Sequence, residues 1–217
     1  MERDTETGDE LRTVDGRMPG RRGQETRRRL LEVTADMLRT GSYRDLAVVD
    51  IAREVGVSPA TFYQYFPDVE TAIFFIADHI ADEGRERLTG LVEAIDLGTT
   101  AGAEALAEGF LDLWRQYDAI FRVLDLGAAE RDARFQSRRT QLLSGPTTAL
   151  QEAIAAQQSS GALSHSIDPA AVAATLTSML AHVAAHRRGL REWGVAREDL
   201  IASMGRLVAL SLRDPEG

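Results

Sequence analysis

The stretch AVVDIAREVGVSPATFYQYF, residues 47–66, predicts two short helices joined by a tight turn. The first helix has four apolar residues at helical spacing, which predict its buried face: Val49, Ile51, Ala52 and Val55. Gly56 suits the left-handed backbone at the end of such a helix, because it has no Cβ atom to clash there. Ser58 and Pro59 predict the N-cap and first position of the second helix. Together these features predict a helix-turn-helix motif.

The aromatic residues of the second helix distinguish a DNA-binding motif from an ordinary helical hairpin. Phe62 and Phe66 are four residues apart, so both are expected to face inward. Tyr63 and Tyr65 cannot both join that face, and at least one phenol is expected to point outward. On so short a helix, a hydrogen bond to a phosphate explains an outward tyrosine better than packing does. We therefore favour a helix that enters the major groove of DNA.

The segment from about Arg21 to Ala81 resembles the amino-terminal domain of the TetR family of transcriptional regulators. That family has a Thr-Val-x-x-Ile-Ala-like helix, then Gly-Val-Ser, then a recognition helix ending Tyr-x-Tyr/His-Phe. Residues 30–73 read LLEVTADMLRTGSYRDLAVVDIAREVGVSPATFYQYFPDVETAI. Two positions depart from the pattern. Ala47 replaces the usual threonine cap, and Asp68 or Glu70 replaces a lysine that commonly contacts phosphate.

The motif positions imply which residues meet DNA. The start of the recognition helix is expected near base edges or phosphates, Gln64 is expected to read a base, and the two tyrosines are expected to donate to phosphates. The predicted DNA-binding residues are Arg21, Arg22, Ala47, Val48, Ser58, Pro59, Ala60, Thr61, Tyr63, Gln64 and Tyr65.

The net charge of −9 is unevenly distributed along the chain. Residues 1–16 carry two arginines and six acidic residues, whereas residues 17–67 carry nine arginines and six acidic residues. The positive segment coincides with the helix-turn-helix motif, as expected of a surface that meets a phosphate backbone. A cluster at the start of the first helix is either a solvated face or a set of phosphate contacts, and both interpretations stay open: Arg21, Arg22, Arg27, Arg28 and Arg29.

Composition excludes several classes of protein. The chain has no cysteine and therefore no disulfide framework or thiolate metal site. It has no apolar run near the roughly 20 residues that cross a bilayer, and its amino terminus is polar, so we expect a cytoplasmic protein without a membrane partner.

The fold class predicted is all-α, because no strand pattern occurs anywhere in the sequence. We expect a disordered arm at residues 1–20, a three-helix DNA-binding domain at 21–82, and a larger helical domain at 83–217. One long helix, from Asp68 to about Leu97, is expected to be a rigid lever between the two domains. The other expected helices cover about 24–40, 106–117, 146–158, 170–193 and 197–212, with a linker at 98–102.

Small residues follow one stripe of the 170–193 helix, which would let helix backbones approach closely. With the last helix it predicts a hairpin that pairs with a twofold copy as a four-helix bundle. The resemblance implies the same arrangement, since TetR-like regulators dimerise through their two last helices. The expected interface residues are Ala171, Ala174, Ser178, Ala181, Ala185, Gly189, Leu200, Met204 and Leu207.

Aromatic residues are concentrated in the central third of the chain, where they indicate either a plain core or a mostly apolar effector pocket with polar anchors. The resemblance implies small-molecule binding in this domain, without identifying the molecule. The expected pocket residues are Phe110, Trp114, Tyr117, Phe121, Arg122, Phe135, Gln141 and His182.

His182 and His186 are one helical turn apart, so both could face one metal ion, but no third ligand is evident and no metal or cofactor is expected. No convergent catalytic set is present either. The predicted protein is a homodimeric, ligand-responsive transcriptional regulator that binds a palindromic site in double-stranded DNA. A repressor is favoured over an activator. Two alternatives stay open: an architectural DNA-binding protein without an effector, and an all-α enzyme.

Overall fold

The computed structural model describes residues 13, 14, 16, 18–96, 99–161, 163 and 167–212. Every regular element within these residues is helical, so the all-α fold predicted from the sequence is confirmed. The chain forms two compact units, one ending at His79 and the other beginning at Ile80. The arm expected at residues 1–20 lies mostly outside the described residues, as do residues 97 and 98 of the expected linker. No helix in the described part of the chain is long and apolar enough to cross a bilayer.

The first unit contains the helix-turn-helix motif. Its helices are α1 (Arg21–Thr40), α2 (Val48–Val55) and α3 (Pro59–Tyr65), with a 3₁₀ turn at Tyr43–Asp45 between α1 and α2. Ser58 caps α3, since its Oγ accepts the Thr61 amide at 3.2 Å. Gly56 ends α2 with a left-handed φ of 81°. These local features confirm the turn predicted from the sequence.

Two phenylalanines attach α3 to the core of the first unit. Phe62 and Phe66 are both fully buried, and their ring centroids are 5.5 Å apart. A helix of seven residues is not stable by itself, so its conformation depends on these tertiary contacts. Burial contributes about 1.5–3 kcal/mol for each ring.

The buried face of α2 is not quite the one that the sequence predicts. Ile51 and Ala52 are buried as expected, but Val49 is 57% exposed. Val48 and Val55 are half-buried instead, and with the two buried residues they follow i, i+3, i+4, i+7 spacing. Val49 lies beyond the edge of that stripe, which corrects its expected place in the core.

The long helix α4 (Val69–Ala94) begins in the first unit and ends in the second. Asp68 caps it, because its Oδ1 accepts the Thr71 amide at 2.7 Å. The remaining helices of the second unit are α5 (Thr100–Gln116), α6 (Asp118–Ala129), α7 (Ala133–Ser159), α8 (Pro169–Glu192) and α9 (Arg197–Ser211). Helix α9 packs closely on α5, where a Cβ at Gly205 would lie 2.8 Å from the backbone of Glu104.

Helix α7 corrects the expectation that a helix begins at Pro146. It begins at Ala133 and continues through Pro146, although proline removes one helical hydrogen bond and strains the preceding turn. The buried residues on both sides of the proline share one face of the helix: Phe135, Leu142, Pro146, Ala149, Leu150 and Ile154. Burial of this continuous stripe holds the helix together across the proline.

The small residues of α8 predicted for the dimer interface are exposed or half-buried, with one exception. Ala171, Ala174, Ser178 and Gly189 are exposed, and Ala185 is half-buried. Ala181 is only 2% exposed, because it lies on the stripe with Leu180 and Ala184 that faces the core.

On α9, Leu207 is 54% exposed and Leu200 is half-buried, but Met204 is 2% exposed. Ala181 and Met204 pack inside their own chain, which corrects their expected place at a surface between subunits.

We expect Gly56→Ala to lower the free energy of unfolding by about 1–2 kcal/mol, since a Cβ atom disfavours the left-handed backbone at this residue. No atom lies within 4 Å of the added Cβ, so the cost is conformational alone. Gly90→Ala is the matched control: its Cβ also meets open space, but inside a helix it should stabilise by about 0.5–1 kcal/mol. Urea unfolding of both variants measures the difference, and a Gly56→Ala protein as stable as the parent would contradict it.

Candidate nucleic-acid interface and ligand cleft

The face of α3 opposite the buried phenylalanines is open to solvent. Its exposed residues are Ser58, Pro59, Ala60, Tyr63 and Gln64, and Thr61 is half-buried. We call these six residues the exposed face of α3. They offer hydroxyl, phenol and amide groups, which are the neutral side-chain groups that bond to phosphates and base edges.

The two tyrosines of α3 have different environments. Tyr63 is 51% exposed and its ring packs edge-on against Phe62, with centroids 5.9 Å apart. Tyr65 is only 9% exposed, and a Cβ added at Gly23 would lie 3.1 Å from its hydroxyl oxygen. The start of α1 therefore covers Tyr65, which corrects the expectation that its phenol faces DNA.

Residues before α1 also lie beside α3. The Val14 amide donates to the carbonyl oxygen of Gln64 at 2.9 Å. Together with Met18, Pro19 and Tyr65, these residues line a shallow groove next to the exposed face of α3.

The five arginines at the start of α1 include exposed side chains and side chains that contact other residues of the protein. Arg21, Arg22 and Arg29 are exposed. Arg27 is buried, and its guanidinium carbon lies 4.4 Å from the centre of the Phe75 ring and 5.2 Å from that of Phe66. Such cation–π contacts make Arg27 part of the packing around α3, not a phosphate contact.

Arg28 is paired within α1. Its guanidinium donates to Glu25 at 2.6 Å and also to Glu32. The hydrogen bond from Arg28 lowers the pKa of the Glu25 carboxyl. Arg28 is thus partly neutralised by its neighbours, whereas Arg21 and Arg22 remain the exposed cations nearest the start of α1.

The residues at the two departures from the TetR pattern differ in their structural roles. Asp68 caps α4, and Glu70 accepts a hydrogen bond from the Tyr43 hydroxyl at 2.7 Å. Ala47 precedes α2 in an extended conformation and provides no side-chain cap. The acidic residues that replace the family's lysine therefore stabilise the first unit.

A cleft of about 750 Å³ opens in the second unit, lined by residues of α5, α6, α7 and α8. Four predicted pocket residues line it: Trp114, Phe121, Arg122 and His182. The sequence interpretation missed several others, which are polar or charged: Asp118, Asp125, Gln136, Arg139, His186 and Arg188. In the sequence these residues look like those of any solvated helix surface. Only the packing of the four helices shows that they line a cleft.

The other four predicted pocket residues do not line the cleft. Phe110 is fully buried and stacks on Trp114, with ring centroids 6.0 Å apart. Phe135 is buried against Gly127, where a Cβ would lie 2.3 Å from the ring. Gln141 is exposed and accepts a hydrogen bond from Arg138 at 3.2 Å.

Tyr117, the remaining residue of that group, joins α5 to α4. Its hydroxyl donates to the Glu83 carboxylate and accepts from the Gln116 side chain at 2.7 Å. Burial, together with the hydrogen bond and negative charge of Glu83, raises the pKa of Tyr117 to about 12. Tyr117 immediately precedes Asp118 of the cleft, so this bond fixes one end of the cleft to α4.

The two histidines of α8 stack on each other with ring centroids 4.1 Å apart. Both are exposed, and the Nδ1 of His186 lies 2.9 Å from the carbonyl oxygen of His182. No group of three or more metal-ligating side chains occurs among the residues that the structure describes.

Two family models match the chain. The model of bacterial regulatory proteins of the tetR family matches residues 30–70, and that of the tetracyclin repressor-like C-terminal domain matches residues 88–216. The second alone covers more than half of the chain. The chain therefore belongs to the TetR family and is a DNA-binding transcriptional regulator, as the sequence predicts.

Similar proteins agree with this assignment. The HTH-type transcriptional regulator EthR of Mycolicibacterium smegmatis is 24% identical over 199 residues, which cover 91% of each chain. The fatty acid degradation regulator FadR from Bacillus halodurans has the same fold, with a TM-score of 0.70, 15% identity, and coverage of 91% of this chain and 99% of that one. FadR from Bacillus subtilis in complex with stearoyl-CoA gives a TM-score of 0.67 at 14% identity, covering 85% and 97%.

The raised pKa of Tyr117 predicts a loss of stability in alkali. The folded chain holds this proton more tightly than the unfolded chain, so the stabilisation is complete below pH 10 and is lost as the pH rises towards 12. The chain has four tyrosines and no lysine, so few other side chains titrate in this range. We expect the free energy of unfolding of Tyr117→Phe to fall less between pH 10 and 12 than that of the parent.

Denaturant titrations at several pH values measure this difference. Tyr63→Phe is the control for the removal of a phenol elsewhere in the chain, since that side chain is exposed and makes no contact with Glu83. If the free energy of unfolding fell as steeply with pH in the Tyr117→Phe protein as in the parent, the Glu83 contact would not be maintained in solution.

Proposed function

We propose that this regulator is a homodimeric, ligand-responsive repressor that acts in the cytoplasm, where its DNA is. Residues 21–82 are proposed as the DNA-binding domain, with residues 1–20 as an arm, and 83–217 as the effector-binding and dimerisation domain. The observation that carries the proposal is the exposed face of α3, held outward by the buried Phe62 and Phe66.

The proposed DNA contacts follow from exposure. Ser58, Ala60 and Thr61 at the start of α3 would meet base edges or phosphates, and Gln64 would read a base. Tyr63 and the exposed Arg21 and Arg22 would meet phosphates. The proposed set also keeps Ala47, Val48 and Pro59 as close neighbours of the backbone, and it omits the buried Tyr65.

Two copies are needed because one seven-residue helix makes few base contacts. A symmetric dimer presents two such helices to successive faces of the major groove, which favours a palindromic site with half-sites about 34–36 Å apart or at a longer spacing. Linking two weak sites in one assembly raises their combined affinity.

Helices α8 and α9 are proposed as the dimer surface. Their exposed or half-buried small and apolar residues would meet a second copy: Ala171, Ala174, Ser178, Ala185, Gly189, Leu200 and Leu207. Leu210 is 52% exposed on the same helix as Leu207 and extends the apolar area. Regulators of this family act as dimers, and exposed apolar side chains of this kind are typical of an interaction surface.

The cleft is proposed as the effector site, and its connection to α4 suggests how binding would reach the DNA. Asp118 lines the cleft, and the adjacent Tyr117 bonds to Glu83 on α4. Helix α4 is continuous from residue 69, in the first unit, to residue 94. A ligand would change DNA affinity only by as much as it prefers one position of this helix over another.

We expect Tyr63→Phe to weaken DNA binding by about 0.5–3 kcal/mol for each subunit, the contribution of one hydrogen bond to a charged acceptor. The loss should be similar on the operator and on random DNA, because a phosphate contact does not read sequence. Tyr65→Phe is the matched control and should bind as the parent does, since that side chain is buried. Gel-shift titrations on an operator selected from genomic fragments measure all three proteins.

Unchanged affinity of the Tyr63→Phe protein would remove Tyr63 from the contact set. An equal loss in the Tyr65→Phe protein would show that both phenols act through the packing of α3. If the parent protein bound random DNA as tightly as the selected operator, an architectural protein would explain the data better than a regulator.

We expect Leu207→Glu to convert the dimer to a monomer, since it places a charge on an apolar surface that meets its own copy. Leu126→Glu is the control, because Leu126 is also exposed but lies on α6, outside the proposed surface. Sedimentation velocity distinguishes the two. A Leu207→Glu protein that still sediments as a dimer would place the interface elsewhere.

A further inference from the structure

Three arginines converge on one carboxylate in the cleft. Arg187 Nη2 lies 2.7 Å from Asp118 Oδ1, and Arg188 Nη2 lies 2.8 Å from Oδ2. Arg122 Nη1 lies 3.8 Å from the same Oδ2. Three positive charges against one negative charge leave this end of the cleft with a positive excess, which we call the arginine cluster.

The arginine cluster has a more buried and a more exposed part. The side chain of Arg187 is 13% exposed and that of Asp118 is 23% exposed. Arg187 is also fixed by a hydrogen bond to the carbonyl oxygen of Ala184 at 2.8 Å. The side chains of Arg122 and Arg188 are 51% and 68% exposed, so these two guanidinium groups are accessible to a group that enters the cleft.

The second carboxylate on the α6 side of the cleft has no such excess around it. Arg139 Nε lies 2.7 Å from Asp125 Oδ1, so one cation faces one anion there. The positive charge of the cleft is therefore concentrated at the Asp118 end. Guanidinium groups bind carboxylates, sulfonates and phosphates through paired hydrogen bonds, which makes this end suited to an anionic group.

The aromatic end of the cleft has a donor without an acceptor. Trp114 lines the cleft but is only 5% exposed, and within the described part of the chain its indole N–H has no hydrogen-bond partner. The ring of Phe121 lies 4.4 Å from that of Trp114, which gives the same region an apolar aromatic wall.

We propose that the cleft binds an organic anion with a planar apolar body. Its anionic group would lie at the arginine cluster, where it would meet the guanidinium groups of Arg122 and Arg188 that line the cleft beside Asp118, and its body would pack against Trp114 and Phe121. A cleft of about 750 Å³ accepts a molecule of ordinary effector size. This inference rests on the proposed function of the cleft as the effector site and adds the chemical class of the effector.

The test uses two probes of nearly equal size and shape, the anionic naphthalene-1-acetate and the neutral naphthalene-1-acetamide. Trp193 is the second of the two tryptophans and is 81% exposed, so Trp193→Phe leaves Trp114 as the single fluorescent reporter. In this Trp193→Phe protein we expect the acetate to bind about tenfold more tightly than the amide and to change the Trp114 emission. Calorimetry gives the affinities independently of fluorescence.

Three substitutions in the Trp193→Phe protein locate the anionic group. Arg188→Gln should weaken binding of the acetate by about tenfold, because it removes one guanidinium from the cluster, and should leave binding of the amide unchanged. Asp118→Asn should strengthen binding of the acetate, because it removes the carboxylate that competes for the same arginines. Arg191→Gln is the control, since Arg191 is an exposed arginine on the same helix that does not line the cleft.

Equal affinity for the two probes, no binding of either at millimolar concentration, or an unchanged acetate affinity in the Arg188→Gln protein would overturn the inference. Arg188 is 68% exposed, so its replacement should not disturb folding, and circular dichroism checks this. A separate measurement of operator affinity with and without the acetate addresses the proposed function. An acetate that binds with the expected charge preference but leaves operator affinity unchanged would contradict ligand-responsive regulation and support the inference on ligand class.

Discussion

The proposed DNA-binding surface of this protein depends on the burial of Phe62 and Phe66. A helix as short as α3 has too few internal hydrogen bonds to persist in water, so the core must hold it. The two rings lie on one side of the helix and are fully buried, which forces Tyr63 and Gln64 to the opposite side. Arg27 completes this support, because its guanidinium packs over the rings of Phe66 and Phe75. The exposed face of α3 is thus a consequence of how its other face is packed.

The second unit follows a different principle, since charges and not apolar contacts distinguish its cleft. Asp118 begins α6, directly after the residue that bonds to Glu83 on α4. It also pairs with Arg187 and Arg188 on α8. A single carboxylate therefore connects α6 with α8 and is next in sequence to the contact with α4. An anion that competes for the same arginines would act on all three helices, which is the physical basis of the proposed response to a ligand.

Local chemistry allowed much of the fold to be predicted from the sequence. Gly56 and Ser58 specify their turn and cap through backbone preference and a nearby hydroxyl, and neither depends on distant residues. The predictions that were wrong concern residues whose burial depends on segments distant in the sequence. Tyr65 is covered by the start of α1, and Ala181 differs from the exposed Ser178 only in which side of α8 meets the core. The charged lining of the cleft comes from four helices, so no single stretch of sequence has a signature for it.

The most direct test of this account is a hydroxyl-radical footprint of the protein on an operator selected from genomic fragments. A pair of exposed α3 helices in a symmetric dimer predicts protection in two related patches on one face of the duplex, with half-sites about 34–36 Å apart or at a longer regular spacing. Continuous protection along the duplex, or a single patch without a symmetry-related partner, would contradict the presentation of α3 as a paired reading element.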